Sequence, residues 1–553
     1  MPVISVNSDD LLELTGSDQV TLLEVLPKIG VEIEEIKGER WELEIFPDRC
    51  DMLSVEGVSR SVRGFLGKDV GLPEYETFTS EVITEVDLSV QDVRPYVVTA
   101  LVKNVELSPR TLKSLMELQE KLHLTLGRNR SKVAIGLHDF EPIEPPIEYK
   151  AVKPDDVSFV PLERSVEMNL ERILERHDKG KEYAHILEGE YRYPLLVDSK
   201  NDVLSFPPII NGVMTEVTPD TRTFFIDMTG TDMRALEQAL NIFCTTLAER
   251  GAEIHTTEVK YGSKSITYPY FTPKKIDISL KECERVLGVE LSKEETKDIL
   301  ERMRYAVELK DNESGFEVTI PPYRHDILHP WDIIEDVAIG YDYDNFEGVL
   351  PREVTVGKAL PESELKEALR ELLIGHGFNE VMNYMLTNEE LGFDMMGEEA
   401  GESEESALIK NPVSENTGAV RTWLLPGLLS NLRENKTEPL PQKLFEIGDV
   451  VMDGEQKTNA AGVMESSKVG FTENKSLLDG VFTNLGMEMT VKPKKHPSFI
   501  QGRCAKIVEG EQELGFFGEV SPEVLENFDL ENPVVGFELD FDRILEIKEA
   551  EPK

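Results

Sequence analysis

Apolar and polar positions in the first 75 residues alternate between two periods. The stretch 3–6 has the every-second-residue spacing of a strand, whereas 8–15 and 20–29 show the three-and-four spacing of helices. Segments 31–36 and 41–45 alternate again around Lys37-Gly38-Glu39, which predicts a hairpin. Directly after it, FPDRCDMLSVEGVSR at 46–60 is a proline-led turn running into an acid-bearing helix.

The same plan returns past the middle of the chain. An alternating segment, 316–320, ends at Pro321-Pro322, where PPYRHDILHPWDIIEDV (321–337) begins. Pro322, Arg324, Asp326 and Leu328 match Pro47, Arg49, Asp51 and Leu53, so one small module occurs twice, at 1–75 and 270–345. In the second copy Ser292 and Glu295 form a capping box, and a hairpin turns at 311–315. Its last helix carries Ile333, Ile334, Val337 and Ala338 on one face and Asp332, Glu335 and Asp336 on the other. With Asp326 on the turn, these give four oxygen donors that suit one magnesium ion, which takes few carboxylates and keeps several waters. Acids are equally favoured in the first turn of any helix. Arg324 or His325 could also balance them without metal. The first copy lacks the Asp-x-x-Glu-Asp face, so a cation is expected only in the second.

Residues 76–91 are acidic and weakly patterned, which predicts a linker before a central mixed α/β domain at 92–262. Strand 96–105 precedes a helix that starts at Ser108-Pro109. Gly127-Arg-Asn-Arg-Ser-Lys132 is the densest basic cluster in this half, either a solvated helix end or a phosphate-contacting loop. Strand 133–137 carries His138-Asp139 at its end, a helix is expected at 165–177, and 195–212 is a hairpin stiffened by Pro207-Pro208. Strand 223–227 should exit into Asp227-Met-Thr229-Gly, ahead of a helix at 233–250. Polar residues at such an exit, facing the proline-stiffened loop, predict a small-molecule pocket. A capped turn has the same pattern. From 350 to 553, a helix at 362–375 and strands at 380–386, 443–451, 516–520 and 534–541 suggest an α+β sheet domain.

Net charge is -47 over 553 residues. A field of that sign repels nucleic acid, so local basic patches or a partner would have to attract it. Cys50, Cys244, Cys283 and Cys504 are scattered, which fits a reduced compartment and excludes knuckle-type zinc sites. With no run of about twenty apolar residues and no N-terminal signal, a cytoplasmic protein without membrane contact is expected. Neither a Walker loop nor a nucleophile elbow is present.

NPVSEN (411–416), RTWLLPGLLSNLRENK (421–436) and LFEIGDVV (444–451) resemble the catalytic-like domain of the phenylalanyl-tRNA synthetase beta-subunit family, archaeal/eukaryotic type. PDRCDMLSVEGVSR and PPYRHDILHPWDIIEDVAIGY resemble its two small modules, and GRNRSKVAIGLHD and SFPPIING its central domain. Cys50 stands where that family more often has proline, and no change in function is expected from it.

The resemblance implies an α+β multidomain fold: two winged-helix-like modules, a central editing-type domain, and a class II synthetase-like antiparallel sheet without catalytic motifs. It implies a ligase that attaches phenylalanine to tRNA(Phe) as an alpha2beta2 heterotetramer, with ATP and phenylalanine bound by the alpha subunit. Residues here agree with that division. A class II core clamps ATP phosphates with arginines, yet Leu444-Phe-Glu-Ile-Gly-Asp449 has none and no Gly-x-Gly-x-x-Arg follows. An apolar pocket rejects an added hydroxyl by only about a hundredfold, so tyrosine calls for a second, hydrolytic site. The residues matching the family's editing pocket are Leu196, Ser205, Asp227 and Thr229, and its magnesium acids fall at Asp326, Asp332, Glu335 and Asp336. The alternative is a non-catalytic nucleic-acid-binding or scaffold protein built on winged-helix-like modules.

Overall fold

The computed structural model describes residues 2–310, 315–350, 355–398 and 407–550. It divides into two compact units, Met1–Val349 and Leu350–Lys553. The hairpin turn expected at 311–315 lies, but for Gly315, outside the described residues.

Within the first unit the repeat is a repeat of fold. The first copy has strands Val3–Asn7, Val31–Lys37 and Arg40–Ile45, with helices Ser8–Thr15 and Gln19–Lys28 between the first two strands. The second has Lys274–Ser279, Ala306–Leu309 and Gly315–Ile320, with Leu280–Leu287 and Lys293–Arg302 in the same places. In both sheets the last strand lies in the middle. The matching turn then feeds a helix, Val55–Phe65 or Pro330–Tyr341, capped by Ser54 in one copy and His329 in the other. The copies touch each other. Gly71 donates its N–H to the Glu301 carbonyl at 2.7 Å, and the Arg60 guanidinium lies 3.5 Å over the Tyr323 ring.

The central domain is a ten-stranded sheet. Its order is Ile210–Asn211, Val203–Phe206, Tyr193–Val197, Ile147–Val152, Thr77–Val86, Glu253–Tyr261, Tyr96–Lys103, Phe224–Gly230 and Val133–Asp139, with Lys264–Tyr268 pairing beside Glu253–Tyr261. Thr77–Val86 corrects the linker expected at 76–91. It runs parallel to both neighbours inside the sheet, but only Val82 and Thr84 of its residues are buried, so little apolar alternation announces it. The helix expected at 165–177 shrinks to Leu170–Arg176, because Met168–Asn169 pairs with Ser158–Phe159 and Asn169 then caps the helix. The helix expected at 233–250 ends at Ala248. One apolar core runs from Ile4 and Leu43 of the first module into Val98, Phe225 and Leu240 of the central domain.

The second unit is a seven-stranded sheet ordered Asn379–Glu380, Gln442–Met452, Glu455–Glu465, Val534–Asp540, Gln512–Val520, Phe499–Glu509 and Thr490–Pro493. Successive strand residues face opposite sides, and adjacent Ala460 and Ala461 enter different apolar clusters, so both faces are covered. The strand expected at 380–386 breaks into Asn379–Glu380 and Leu386–Thr387, with Met382 and Tyr384 exposed between them. Among the described residues no helix is long and apolar enough to cross a membrane.

Candidate functional site

The sheet register builds a cavity of about 350 Å³ in the central domain. Asp227 and Thr229 share one face of Phe224–Gly230, where their neighbours on Val133–Asp139 are Gly136 and Ala134. Those two small residues leave the space. A Cβ on Gly136 would lie 2.1 Å from Asp227 Oδ2. Helix Pro109–Leu124 closes one side, and Ser205 and the Pro207-Pro208 loop another. Asp227 and Thr229 are thus interior to a strand rather than at its exit: the strand continues to Gly230. Leu196 is fully buried as the register partner of Ser205 and stands behind the wall instead of lining the cavity.

Asp227 is held by a group that sequence reasoning placed at a strand end without a role. His138, fully buried, meets Asp227 Oδ2 through Nε2 at 2.7 Å and Thr215 Oγ1 through Nδ1 at 2.7 Å. An ionised carboxylate only accepts, so it is the Nε2–H that donates to Asp227. Thr229 is held by Arg94, whose Nε donates to Thr229 Oγ1 at 2.9 Å and whose Nη2 donates to the Thr229 carbonyl at 2.7 Å. Burial pushes this guanidinium down to about 10, so it remains charged at neutral pH. A hydroxyl that accepts from a buried cation keeps its own proton to donate.

Across the cavity, Ile135 N–H donates to His123 Nε2 at 2.8 Å, which leaves His123 Nδ1–H for Glu120 at 3.2 Å. Burial lowers the His123 pKa, keeping the ring neutral. Burial also opposes charge on Glu120, but its bonds with His123 and the Arg130 guanidinium hold the carboxyl down to about 2. Arg130 donates further to the Ile209 carbonyl at 3.0 Å. This basic-cluster residue is therefore buried wall, not a solvated helix end. Ser205 Oγ and Arg130 Nε are buried without a hydrogen-bond partner among the described residues, and both residues line the cavity. No sequence signal pointed to Arg94, Glu120 or His123, and Arg130 stood out only as a member of the basic cluster, because their roles come from contacts among a helix, two non-strand segments and the sheet.

The four acids of the second module do not converge in the same way. Arg324 Nη2 lies 2.7 Å from Asp326 Oδ2 and 2.8 Å from Asp336 Oδ2, and the Tyr305 hydroxyl also donates to Asp336. Asp332 accepts from the N–H groups of Leu328 and His329, each at 2.7 Å, as a helix cap. Glu335 is exposed, and its carboxyl is pushed up by desolvation and by Asp336, Asp48 and Asp332. Among the described residues no three acidic, histidine or cysteine side chains stand at metal-binding spacing. As arranged here, a guanidinium holds two of the four.

The family model for the phenylalanyl tRNA synthetase beta chain CLM domain matches residues 347–541, and that for the tRNA synthetase B5 domain matches 276–343. The phenylalanine–tRNA ligase beta subunit of Methanococcoides burtonii is 41% identical over 98% of this chain and 99% of its own. That of Methanothrix thermoacetophila is 43% identical over the same shares. The crystal structure of an N-terminal fragment of the phenylalanyl-tRNA synthetase beta subunit from Pyrococcus horikoshii matches with a TM-score of 0.60 and 40% identity, over 62% of this chain and 99% of that one. The chain belongs to the phenylalanine–tRNA ligase beta-subunit family.

Proposed function

We propose that this chain is the non-synthetic half of a cytoplasmic alpha2beta2 ligase that attaches phenylalanine to tRNA(Phe), and that its central cavity hydrolyses tyrosyl-tRNA. The observation that carries the second part is the cavity's polar wall. Asp227 and Thr229 stand side by side, each oriented by a buried partner, and Ser205 and Arg130 keep unsatisfied polar atoms. A site built to hydrogen-bond a hydroxyl discriminates for it far better than an apolar site discriminates against it. Asp227 orients the tyrosine hydroxyl or a water, Thr229 donates a hydrogen bond, and Leu196 sets the position of Ser205 from behind.

Synthesis belongs to the alpha subunit. In the class II-like sheet the arginine next to the 444–449 strand segment is Arg421, and it is consumed by Glu446 at 2.6 Å and the Asp449 carbonyl at 2.8 Å. With its donors so engaged, Arg421 is withdrawn from phosphate binding. Exposed Met382, Tyr384, Leu386 and Leu408 support a partner surface on this unit, since clustered exposed apolar side chains mark interaction sites. The winged-helix-like modules are scaffold in this scheme. Magnesium is proposed on Asp326, Asp332, Glu335 and Asp336, where the uncompensated field at Glu335 favours a cation, on condition that Arg324 releases a carboxylate. Full-length identity to ligase beta subunits favours this scheme over a nucleic-acid scaffold. Phenylalanine-dependent pyrophosphate exchange tests it: none is expected from this chain alone and robust exchange with alpha added, whereas exchange from the chain alone would overturn it.

A further inference from the structure

We infer that the seam between the two copies of the small module holds one chloride-sized monovalent anion, bound by Arg49, Arg304, Arg324 and the Ser61 hydroxyl. A void of about 20 Å³ lies there, with Arg49, Ser61, Arg302, Arg304, Tyr323 and Arg324 in its wall. Among the described residues, four arginines and no acid line it. The volume takes one water-sized particle and excludes a tetrahedral oxyanion. The fold brings these cations together from both copies. The Arg49–Asp51 and Arg324–Asp326 clamps are neighbours: although burial opposes charge on both carboxyls, Arg49 and Arg324 each act on both to hold them down. Gly64, on helix Val55–Phe65 of the first copy, lets segment 302–304 of the second come close. A Cβ there would collide with the Arg302 carbonyl oxygen and lie 2.9 Å from Arg304 Cδ.

Donors around this void outnumber their acceptors. Arg49 spends Nε and Nη2 on Asp51 and Ser61. Arg324 spends the same two nitrogens on Asp326 and Asp336. Nη1 of each has no hydrogen-bond partner among the described residues. Arg302 is taken up by Asp298 and by the carbonyls of Phe65 and Gly340. Arg304 has no acid partner among the described residues, and its Nε is buried without a hydrogen bond. Ser61 Oγ accepts from Arg49, so its proton is left to donate. A guanidinium can only donate. A water here would need acceptors for its own two protons, and the polar side chains of the wall offer donors instead. A monovalent anion accepts from all of them and offsets Arg304, the cation with no acid of its own.

The test measures amide hydrogen exchange in the heterotetramer, in sodium chloride and in sodium gluconate of equal ionic strength. Gluconate is too large for the void, so the two salts differ only in the ion that can enter. Exchange over 46–65 and 300–326 should be about tenfold slower in chloride, because an ion that binds only the closed seam holds it closed. Segment 534–540 of the other unit should exchange alike in both salts. Arg304→Gln should abolish the difference, and Ser61→Ala, which removes a donor but no charge, should move half-saturation to about tenfold higher chloride. Crystals soaked in bromide should show an anomalous peak between Arg49, Arg304 and Arg324. Equal exchange in the two salts, an equal chloride effect in wild type and variants, or a void without bromide would overturn the site and leave it to water. If Arg304→Gln does not fold, Ser61→Ala and the bromide peak decide between these outcomes.

Discussion

Arg49 and Arg324 occupy equivalent places in the two copies of the small module and make the same contacts. Each grips the aspartate two residues on through two nitrogens, Arg49 to Asp51 at 2.8 and 3.0 Å, Arg324 to Asp326 at 2.9 and 2.7 Å. Each then reaches the same position of the following helix, where the first copy has Ser61 at 3.3 Å and the second Asp336 at 2.8 Å. The arginine–aspartate clamp is thus part of the module, and the acidic face is an addition made in one copy.

The clamp should dominate the stability of the first module. Asp51 is fully buried, and although burial opposes its charge, Arg49, Arg324 and Arg60 hold its carboxyl well below the usual aspartate range. A depressed native pKa gives stability that is complete above the unfolded value of about 3.9 and lost as pH falls below it. Asp51→Asn should therefore cost about 3–5 kcal/mol at pH 7. Denaturant unfolding should show the gap to wild type narrowing below pH 4. A gap of constant size from pH 7 to pH 3 would contradict the clamp.

For magnesium, the informative variant is Asp332→Asn with Glu335→Gln. Asp332 caps its helix, so the variant starts about 1 kcal/mol less stable whatever the metal does. What separates the two accounts is the response to the ion. Wild type should gain thermal stability on magnesium titration and the variant should not. Equal gains would leave the acids as a helix cap and partners of Arg324.

Gly136→Ala is a one-carbon probe of the cavity. The new Cβ would meet Asp227 Oδ2 at 2.1 Å and His138 Nε2 at 2.8 Å, so the carboxylate must move. Overpacking of this kind costs about 1–3 kcal/mol. Tyrosyl-tRNA hydrolysis should fall tenfold or more with phenylalanylation kept, and intact hydrolysis would show that the Asp227–His138 contact is not needed.

Elements whose signal is local were legible in the sequence. The module repeat, the Ser108 and Ser292 caps and the hairpin at Lys37-Gly38-Glu39 each follow from neighbouring residues. Thr77–Val86 escaped because a strand with two buried residues carries no period to read. The cavity was half legible. Asp227, Thr229 and Ser205 line it, yet the groups that orient the first two, His138 and Arg94, come from separate segments that only the sheet order brings together. Arg128 and Arg130 show the limit most plainly: adjacent members of one basic run, the first is exposed and the second buried under Glu120 and the Ile209 carbonyl.

The central claim is that Asp227 acts on a tyrosyl ester in this chain while phenylalanylation proceeds elsewhere. Asp227→Asn keeps the size and an acceptor for His138 Nε2–H but removes the charge. In the heterotetramer, hydrolysis of added tyrosyl-tRNA should slow by about a hundredfold, with the rate of phenylalanylation unchanged. Hydrolysis at the wild-type rate, or a parallel loss of both activities, would contradict it.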